Sequence, residues 1–195
     1  MKKLVIASNN QGKIREIKAI LKGFYDEILS LKDAGIDVDV VEDGTTFHQN
    51  AAKKAIEISE ITDGDVLADD SGLCVDALDG APGVYSARFS GEGADDIRNN
   101  AKLIEMMQGK ENKRARFVCA LVLARKGKEL LYVEEFAEGL LLDAPRGENG
   151  FGYDPLFLDE RHNLTFAELP PEIKNEISHR AKALERLKEE VSRLQ

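Results

Sequence analysis

The sequence lacks the cysteine pattern of a disulfide framework: Cys74 and Cys119 stand alone, with no C-x-x-C pair. Isolated cysteines are usually reduced thiols that pack as small hydrophobic side chains. We therefore expect a cytoplasmic protein. Long hydrophobic runs are also lacking. The longest apolar run outside the start, Phe117 to Ala124, spans eight residues, whereas a membrane span needs about 20. With no secretion-signal pattern at the start, we expect a soluble protein without a membrane partner.

The sequence has no excess of positive charge. Its 27 Lys and Arg residues face 36 Asp and Glu residues, a net charge of −9, which disfavours DNA or RNA as a partner. A small anion can still bind where a metal ion and a few lysines cancel charge locally. We find no repeat, low-complexity tract or long linker. With 195 residues, 43% of them hydrophobic, the chain is predicted to form one domain or two tightly fused lobes.

The hydrophobic pattern predicts an α/β fold with a mixed sheet. Leu4–Ala7 is typical of a buried strand, and apolar residues then recur at helical spacing through Phe24. Further helices are predicted near residues 47–58, from Asp95 and from about Ser178, which is the expected N-cap. Val66–Ala68 is predicted as a short strand, and residues 114–126 and 129–142 as an antiparallel hairpin.

Two predicted helices have explicit buried faces. We expect the helix starting at Asp95 and Asp96 to bury Ile97, Ala101, Ile104 and Met107. The C-terminal helix is expected to bury Ala181, Leu184, Leu187, Val191 and Leu194.

The segment "SNNQGK", residues 8–13, joins the first strand to the first helix. Unpaired backbone N–H groups at a helix start, with a lysine beside them, favour a phosphate. The alternative is an ordinary loop in which Asn9 or Asn10 caps the helix. A P-loop is excluded, because Ala7 and Ile14 stand where that motif needs a glycine and a Ser or Thr.

Asp69 and Asp70 are adjacent acids that we expect at the end of the short strand. Successive side chains of a strand point to opposite faces, so only one of the two can readily face a given site. The alternative is a turn with Asx hydrogen bonds. Glu42 lies in another loop that could converge on the same edge. Two carboxylates with open water positions are what Mg²⁺ favours in phosphate chemistry.

Three other features carry ordinary interpretations when each is taken alone. Lys54 follows Lys53 on a predicted helix and could belong to a solvated lysine face. "FGYDP", residues 151–155, could be a turn packed on its own aromatic rings. "SHR", residues 178–180, could be only a helix start with an exposed histidine. Their joint occurrence in one chain favours a shared function.

Four motifs together closely resemble the inosine triphosphate pyrophosphatase family: "SNNQGK", "ADDSGLCVDALDGAPGVYSARFSG", "GFGYDPLF" and "ISHR". The match covers nearly the whole chain and is most similar to the bacterial ITP/XTP/dITP pyrophosphatases. The resemblance implies an elongated mixed sheet flanked by helices, in a single domain over residues 1–195 with two lobes and a cleft between them. It also implies a homodimer and Mg²⁺-dependent hydrolysis of ITP, dITP and XTP to the nucleoside monophosphate and pyrophosphate.

The resemblance also assigns site residues. It implies Glu42 and Asp70 as metal ligands, with Asp70 also the proton acceptor, although the neighbouring Asp43 remains an alternative to Glu42. The implied substrate-binding residues are Ser8, Asn9, Asn10, Gln11, Gly12, Lys13, Lys54, Ser71, Phe151, Gly152, Tyr153, Asp154, Lys174, His179 and Arg180. A rival hypothesis is a non-catalytic nucleotide-binding regulator, which would have no reason to keep acids that repel phosphate unless a metal lies between them.

Overall fold

A computed structural model describes residues 1–194, so Gln195, the last residue of the predicted domain, lies outside the described residues. The strands are β1 (Lys3–Ile6), β2 (Glu27–Ser30), β3 (Asp65–Val75), β4 (Arg114–Arg125), β5 (Lys128–Leu141), β6 (Phe157–Asp159) and β7 (Leu164–Thr165). The α-helices are α1 (Gln11–Ile20), α2 (Phe47–Ser59), α3 (Asp96–Met107), α4 (Pro171–Ile177) and α5 (His179–Arg193). Short 3₁₀ turns connect several of them.

The strands form one sheet in the order β2-β1-β3-β4-β5-β6-β7. β1 pairs in parallel with β2 and β3, whereas β6 pairs antiparallel with β5 and β7. β4 and β5 are joined by Lys126 and Gly127, both with positive φ, as a two-residue hairpin turn requires. The predicted mixed α/β fold is confirmed.

The chain divides into two compact units. The first comprises residues 1–70, 119–135 and the segment from Arg180 onward, and the second comprises residues 71–118 and 136–179. In the first unit the sheet separates two hydrophobic clusters. Leu4 and Ile6 pack into one, with residues of α1 and α5, whereas Val5 and Ala7 pack into the other, with residues of α2. This alternation follows from the period of two along a strand.

The second unit has its own hydrophobic cluster, which includes Leu73 of β3, Phe117 of β4 and Phe157 of β6. Leu103 and Met107 of α3 belong to it, and Ile173 and Ile177 of α4 pack against it. No helix within residues 1–194 is long and apolar enough to cross a membrane.

The structure corrects three details of the predicted fold. β3 continues to Val75, so Asp69 and Asp70 lie within a strand and not in a turn after it. α3 buries Asn99, Asn100, Leu103 and Met107, whereas Ile97 is 82% exposed and Ala101 is exposed as well. The buried face of the helix thus includes two polar residues, whose amides bond to loop backbone groups. Leu194, expected in the buried stripe of the last helix, follows the end of α5 and is exposed.

Candidate active site

The turn after β1 is organised by its own side chains. Asn10 is the N-cap of α1, and its Oδ1 accepts a hydrogen bond from the Lys13 backbone N–H (3.0 Å). The Asn10 backbone N–H in turn donates to Ser8 Oγ (3.1 Å). The cap interpretation is therefore confirmed for Asn10. The same geometry presents the start of α1, where backbone N–H groups favour an anion; the phosphate role of residues 8–13 stays a prediction.

Asp69 and Asp70 point to opposite faces of β3, as the strand period predicts. Leu67 belongs to the cluster that includes residues of α1 and α5, and Ala68 to the cluster that includes residues of α2. Asp69 follows Leu67 by two residues and Asp70 follows Ala68 by two. Both carboxylates are buried, with 1% and 5% of the residue exposed. The two neighbouring side chains therefore face different hydrophobic clusters.

Asp69 accepts from cationic side chains on both sides. Its Oδ1 lies 3.0 Å from Lys13 Nζ, and its Oδ2 accepts from Arg180 Nε at 2.7 Å. Arg180, 1% exposed, also pairs with Glu16 through Nη1 at 2.6 Å. Together these carboxylates hold the pKa of Arg180 above its ordinary value despite its burial. Asp69 is thus a paired anion that holds two of the predicted substrate-binding cations.

The negative charge of the Asp70 carboxylate is less well compensated by nearby cations than that of Asp69. Burial raises its pKa from 3.8 to about 6; the nearby Glu42 carboxylate adds to the increase, and Lys54, Lys13 and Asn50 oppose it. The Oδ2 atom of Asp70 and the Nδ2 atom of Asn50 are buried without a hydrogen-bond partner in the described part of the chain. The Asn50 amide is therefore near Asp70 without making a hydrogen bond of good geometry. A carboxyl group with this pKa can exchange a proton near neutral pH.

Glu42, and not Asp43, lies on the Asp70 side of its loop. Lys54 Nζ pairs with Glu42 at 2.6 Å and donates to the Asp69 backbone carbonyl at 2.8 Å. Asp43 pairs instead with Lys53 at 3.1 Å, and its side chain is 71% exposed. Among the described residues there is no group of three or more His, Cys, Asp or Glu side chains able to hold a metal ion. Two carboxylates, one with a buried oxygen still to be satisfied, nevertheless fit Mg²⁺, which commonly takes its other ligands from water and phosphate.

In the second unit, the Asp154 carboxylate organises the glycine-rich loop. Its Oδ2 accepts from the Phe151 backbone N–H (3.0 Å) and from Lys174 Nζ of α4 (2.6 Å). A Cβ on Gly150 would lie 2.2 Å from the same oxygen, and Gly150 has a φ of +71°, so only glycine fits there. Lys174 Nζ also lies 4.8 Å from the centre of the half-buried Phe151 ring.

The remaining predicted residues of the second unit are buried to different extents. Tyr153 is 5% exposed, and its hydroxyl donates to the Ser86 carbonyl oxygen at 2.6 Å. His179, expected to be exposed if it only started a helix, is 4% exposed and stacks on Phe117 with 4.7 Å between ring centres. Ser71 is half-buried in β3. The Phe151 ring is therefore more accessible than that of Tyr153 for stacking on a base.

The structure groups the predicted residues into two sets. Lys13, Glu42, Lys54, Asp70 and Arg180 belong to the first unit, and Ser71, Phe151, Asp154, Lys174 and His179 to the second. Sequence reasoning missed the residues that support them, namely Glu16, Asn50, Asp96 and Asn100. Glu16 and Asn50 lie three and four residues from Lys13 and Thr46 on predicted helices, a spacing that gives one helix face but no specific role.

A separate cavity of about 540 Å³ opens at the other end of β1 and β3, with Lys3, Tyr25, Asp65 and Arg125 among its lining residues. It contains none of the predicted site residues. Asp65 accepts from Arg125 Nε at 2.6 Å and from the Tyr25 hydroxyl at 3.2 Å. Because Asp65 is paired in this way and no predicted site residue lines the cavity, the cavity is not the candidate active site.

Comparison with known proteins shows to which family the chain belongs. The model of the Ham1 family matches residues 4–190. The chain belongs to the Ham1 family. This confirms the resemblance read from the four sequence motifs, because the curated relatives of the chain bear names of the same activity.

Two of these relatives are each named dITP/XTP pyrophosphatase. The protein of Clostridium perfringens is 49% identical, with 97% of each chain covered, and that of Geobacter sulfurreducens is 50% identical, covering 97% of this chain and 96% of its own. Among solved structures, the Staphylococcus aureus Ham1 protein is 39% identical with a TM-score of 0.87 over the whole of both chains. A HAM1 protein from Coxiella burnetii is 36% identical with a TM-score of 0.88, over 99% of this chain and 100% of its own.

Proposed function

We propose that this Ham1-family chain is a nucleoside-triphosphate pyrophosphatase that hydrolyses the non-standard purine nucleotides dITP, ITP and XTP and so cleanses the nucleotide pool. The observation that carries the proposal is the 49% and 50% identity, over 97% of the chain, to relatives named dITP/XTP pyrophosphatases. The acid and lysine residues of the first unit support it, because they supply a buried carboxylate able to take a proton beside cations able to hold phosphate.

In the proposed reaction, water attacks the α-phosphorus and the Asp70 carboxylate accepts a proton from that water. Pyrophosphate leaves, and the nucleoside monophosphate remains. Lys13 and Lys54, both mostly buried, hold the negative triphosphate and lower the electrostatic cost of bringing it to the carboxylates. A pKa near 6 leaves Asp70 mainly ionised at neutral pH, which suits a general base.

Glu42 and Asp70 are the residues that would hold Mg²⁺. When bound, the ion supplies positive charge that neutralises phosphate oxygens. The same two carboxylates argue against the rival hypothesis of a nucleotide-binding regulator, because two acids held near each other repel a triphosphate unless a cation lies with them.

The second unit is proposed to recognise the base. Hypoxanthine and xanthine present a 6-oxo acceptor and an N1–H donor, whereas adenine presents the reverse pattern. Asp154 is the proposed acceptor for N1–H, and His179 or a backbone N–H the proposed donor to O6. Arg180, the other candidate donor, belongs to the first unit and is already paired there with Asp69 and Glu16. ATP would leave such groups unpaired, a mismatch that can lower kcat/KM by about 10⁴–10⁵-fold. GTP shares the 6-oxo edge with these bases. Its exclusion therefore has to come from the part of the pocket that faces C2 of the purine.

The experiment that tests the proposal is incubation of the chain with dITP and Mg²⁺, followed by product analysis. The expected products are dIMP and pyrophosphate in equal amounts. Release of dIDP and orthophosphate would contradict attack at the α-phosphorus. Binding of dITP without any product would favour the regulator, and equal kcat/KM for ITP and ATP would contradict the base-recognition scheme.

The resemblance extends the proposal to the state of the protein. It predicts a homodimer of single-domain chains with two lobes, whereas the isolated cysteines favour the cytoplasm. The net charge of −9 supports a small nucleotide rather than DNA or RNA as the partner. Sedimentation of the purified chain at micromolar concentration tests the homodimer.

A further inference from the structure

Helix α3 buries two adjacent asparagines that make unequal use of their amides. Asn99 uses both ends, since its Nδ2 donates to the Ala87 carbonyl (3.1 Å) and its Oδ1 accepts from the Ser90 backbone N–H (2.8 Å). Asn100, 9% exposed, donates from Nδ2 to the Gly152 carbonyl at 3.0 Å. Its Oδ1 is buried and has no hydrogen-bond partner among residues 1–194. A buried acceptor left unpaired costs stability, so the bond to Gly152 is the feature that accounts for an asparagine here.

A second residue of α3 holds the other polar group of Gly152. The Gly152 backbone N–H donates to Asp96 Oδ2 at 2.8 Å. Asp96 precedes Asn100 by four residues, which places both side chains on the same helix face. The N–H and the C=O of one loop residue are thus fixed by two side chains one helical turn apart. We call Asp96 and Asn100 the α3 clamp.

The clamp completes the fixation of the loop around Phe151. On the preceding side, Asp154 accepts from the Phe151 N–H. On the following side, Gly152 has a φ of +60°, which allows the loop to turn back while its peptide groups face α3. The Phe151 backbone is therefore held before the ring by Asp154 and after it by the clamp. Fixing a contact surface in advance lowers the entropy lost on binding.

We propose that Asp96 and Asn100 are positioning residues that hold the Phe151 ring ready to stack on the nucleobase. This inference rests on the proposed function, because it assigns the ring to the base of that substrate. Stacking on a base persists from the ground state to the transition state, since the base takes no part in the reaction. Loss of the clamp therefore raises KM and leaves kcat nearly unchanged.

The test uses the full chain with dITP and Mg²⁺ and four clamp variants: two single substitutions, their combination and one conservative substitution. Asn100→Leu keeps the branching of the side chain at Cγ but removes the donor and the unpaired acceptor, and Asp96→Ala removes the acceptor for the Gly152 N–H. For the double variant we expect KM to rise by up to about fivefold, equivalent to about 1 kcal/mol, with kcat unchanged. Asn100→Leu should retain or raise the melting temperature. Asp96→Asn keeps an acceptor for the Gly152 N–H, so its KM for dITP should be lower than that of Asp96→Ala and close to that of the unmodified chain.

Glu105→Ala is the matched control, because Glu105 is an exposed residue of the same helix; its KM should equal that of the unmodified chain. Hydrogen exchange at the Gly152 amide gives a second readout and should be faster in the double variant. If the unmodified chain releases no pyrophosphate, the proposed function fails. If it does so while the double variant keeps its KM, or loses kcat and melting temperature without a change in KM, the positioning role is overturned.

Discussion

Two carboxylates of the candidate site, Asp70 in the first unit and Asp154 in the second, are almost equally buried, at 5% and 4% exposure. They differ in their partners. Asp154 accepts from a buried lysine and from a backbone N–H. Asp70 has an oxygen without a partner within the described chain, a second carboxylate near it and a pKa raised to about 6.

The difference indicates how burial is used in each unit. A buried carboxylate that is paired and hydrogen-bonded fixes the geometry of the groups around it. A buried carboxylate that is only partly compensated keeps a high free energy, which a proton or a metal ion can lower. Asp154 is thus suited to shaping a loop, and Asp70 to taking part in chemistry.

The largest expected effect is the loss of activity in Asp70→Asn. The amide keeps the shape of the side chain but has neither the charge nor a basic lone pair, so kcat should fall by at least the roughly 10²–10⁴-fold typical of a lost general base. Pyrophosphate release from dITP measures it. Lys53→Ala serves as the control for expression and purification of a variant. If Asp70→Asn retains half of the kcat, the role given to Asp70 is refuted.

The next effect contrasts the stabilities of Asp70→Asn and Asp69→Asn at neutral pH without metal. The folded chain holds the Asp70 proton more tightly than the unfolded chain does, with pKa values of about 6 and 3.8. The stability contributed by this group therefore increases as the pH falls from 6 toward 4 and is lost as the pH rises through 6. At pH 7.5 the ionised Asp70 costs about 3 kcal/mol, since one pKa unit equals about 1.36 kcal/mol.

Asp70→Asn should consequently raise the free energy of unfolding by up to about 3 kcal/mol at pH 7.5 and by much less at pH 4. Asp69→Asn should lower it by a similar amount, about 3 kcal/mol, because it leaves the buried Arg180 with less compensation. Urea denaturation in EDTA measures both variants. Changes of the same sign at pH 7.5 would show that the two neighbours do not differ as their contacts indicate.

A smaller effect is expected from the lysines. Lys13 has a side chain 16% exposed and pairs with the buried Asp69, whereas Lys53 pairs at the surface with the exposed Asp43. Lys13→Ala should raise the KM for dITP by about tenfold or more, as expected when a charge-assisted bond to phosphate is lost. Lys53→Ala should change KM by less than about twofold, because exposed ion pairs contribute little. Indistinguishable KM values would remove the phosphate role of Lys13.

The sequence predicted the parts of this site that depend on local pattern. Strand alternation separated Asp69 from Asp70, and the turn before α1 was recognised from Asn10, Gly12 and Lys13. The pairing of Asp69 with Arg180 could not be predicted, because the two residues lie 111 positions apart and only the tertiary fold brings them together. For the same reason the raised pKa of Asp70 could not be predicted, since it depends on burial by residues of other elements.

The buried face of α3 shows a different limit. Apolar spacing predicted Ile97 and Ala101 in the core, but the structure buries Asn99 and Asn100 and leaves Ile97 exposed. Hydrophobic periodicity treats asparagine as a surface residue. Periodicity carries no information about the hydrogen bonds that a loop requires. The carbonyl groups of residues 87 and 152 and the N–H group of residue 90 bond to the amides of Asn99 and Asn100. These bonds favour burial of the asparagine face of α3.

The smallest expected effect completes the comparison between the two units and concerns Phe151→Leu. Leucine keeps an apolar surface but removes the aromatic ring. Stacking of a base on an aromatic side chain is worth about 1–3 kcal/mol, and leucine retains part of it, so we expect the KM for dITP to rise about fivefold. The kcat should hardly change, because the ring contacts the base and not the reacting phosphorus.

Stacking does not distinguish one purine from another, so the KM for XTP should rise by the same factor. Steady-state kinetics on both substrates measures this, with Phe136→Leu as the control because Phe136 is an exposed ring on β5 of the same unit. A fall in kcat matching that of Asp70→Asn would show that the second unit takes part in the chemical step and that the division of roles drawn from Asp70 and Asp154 is wrong.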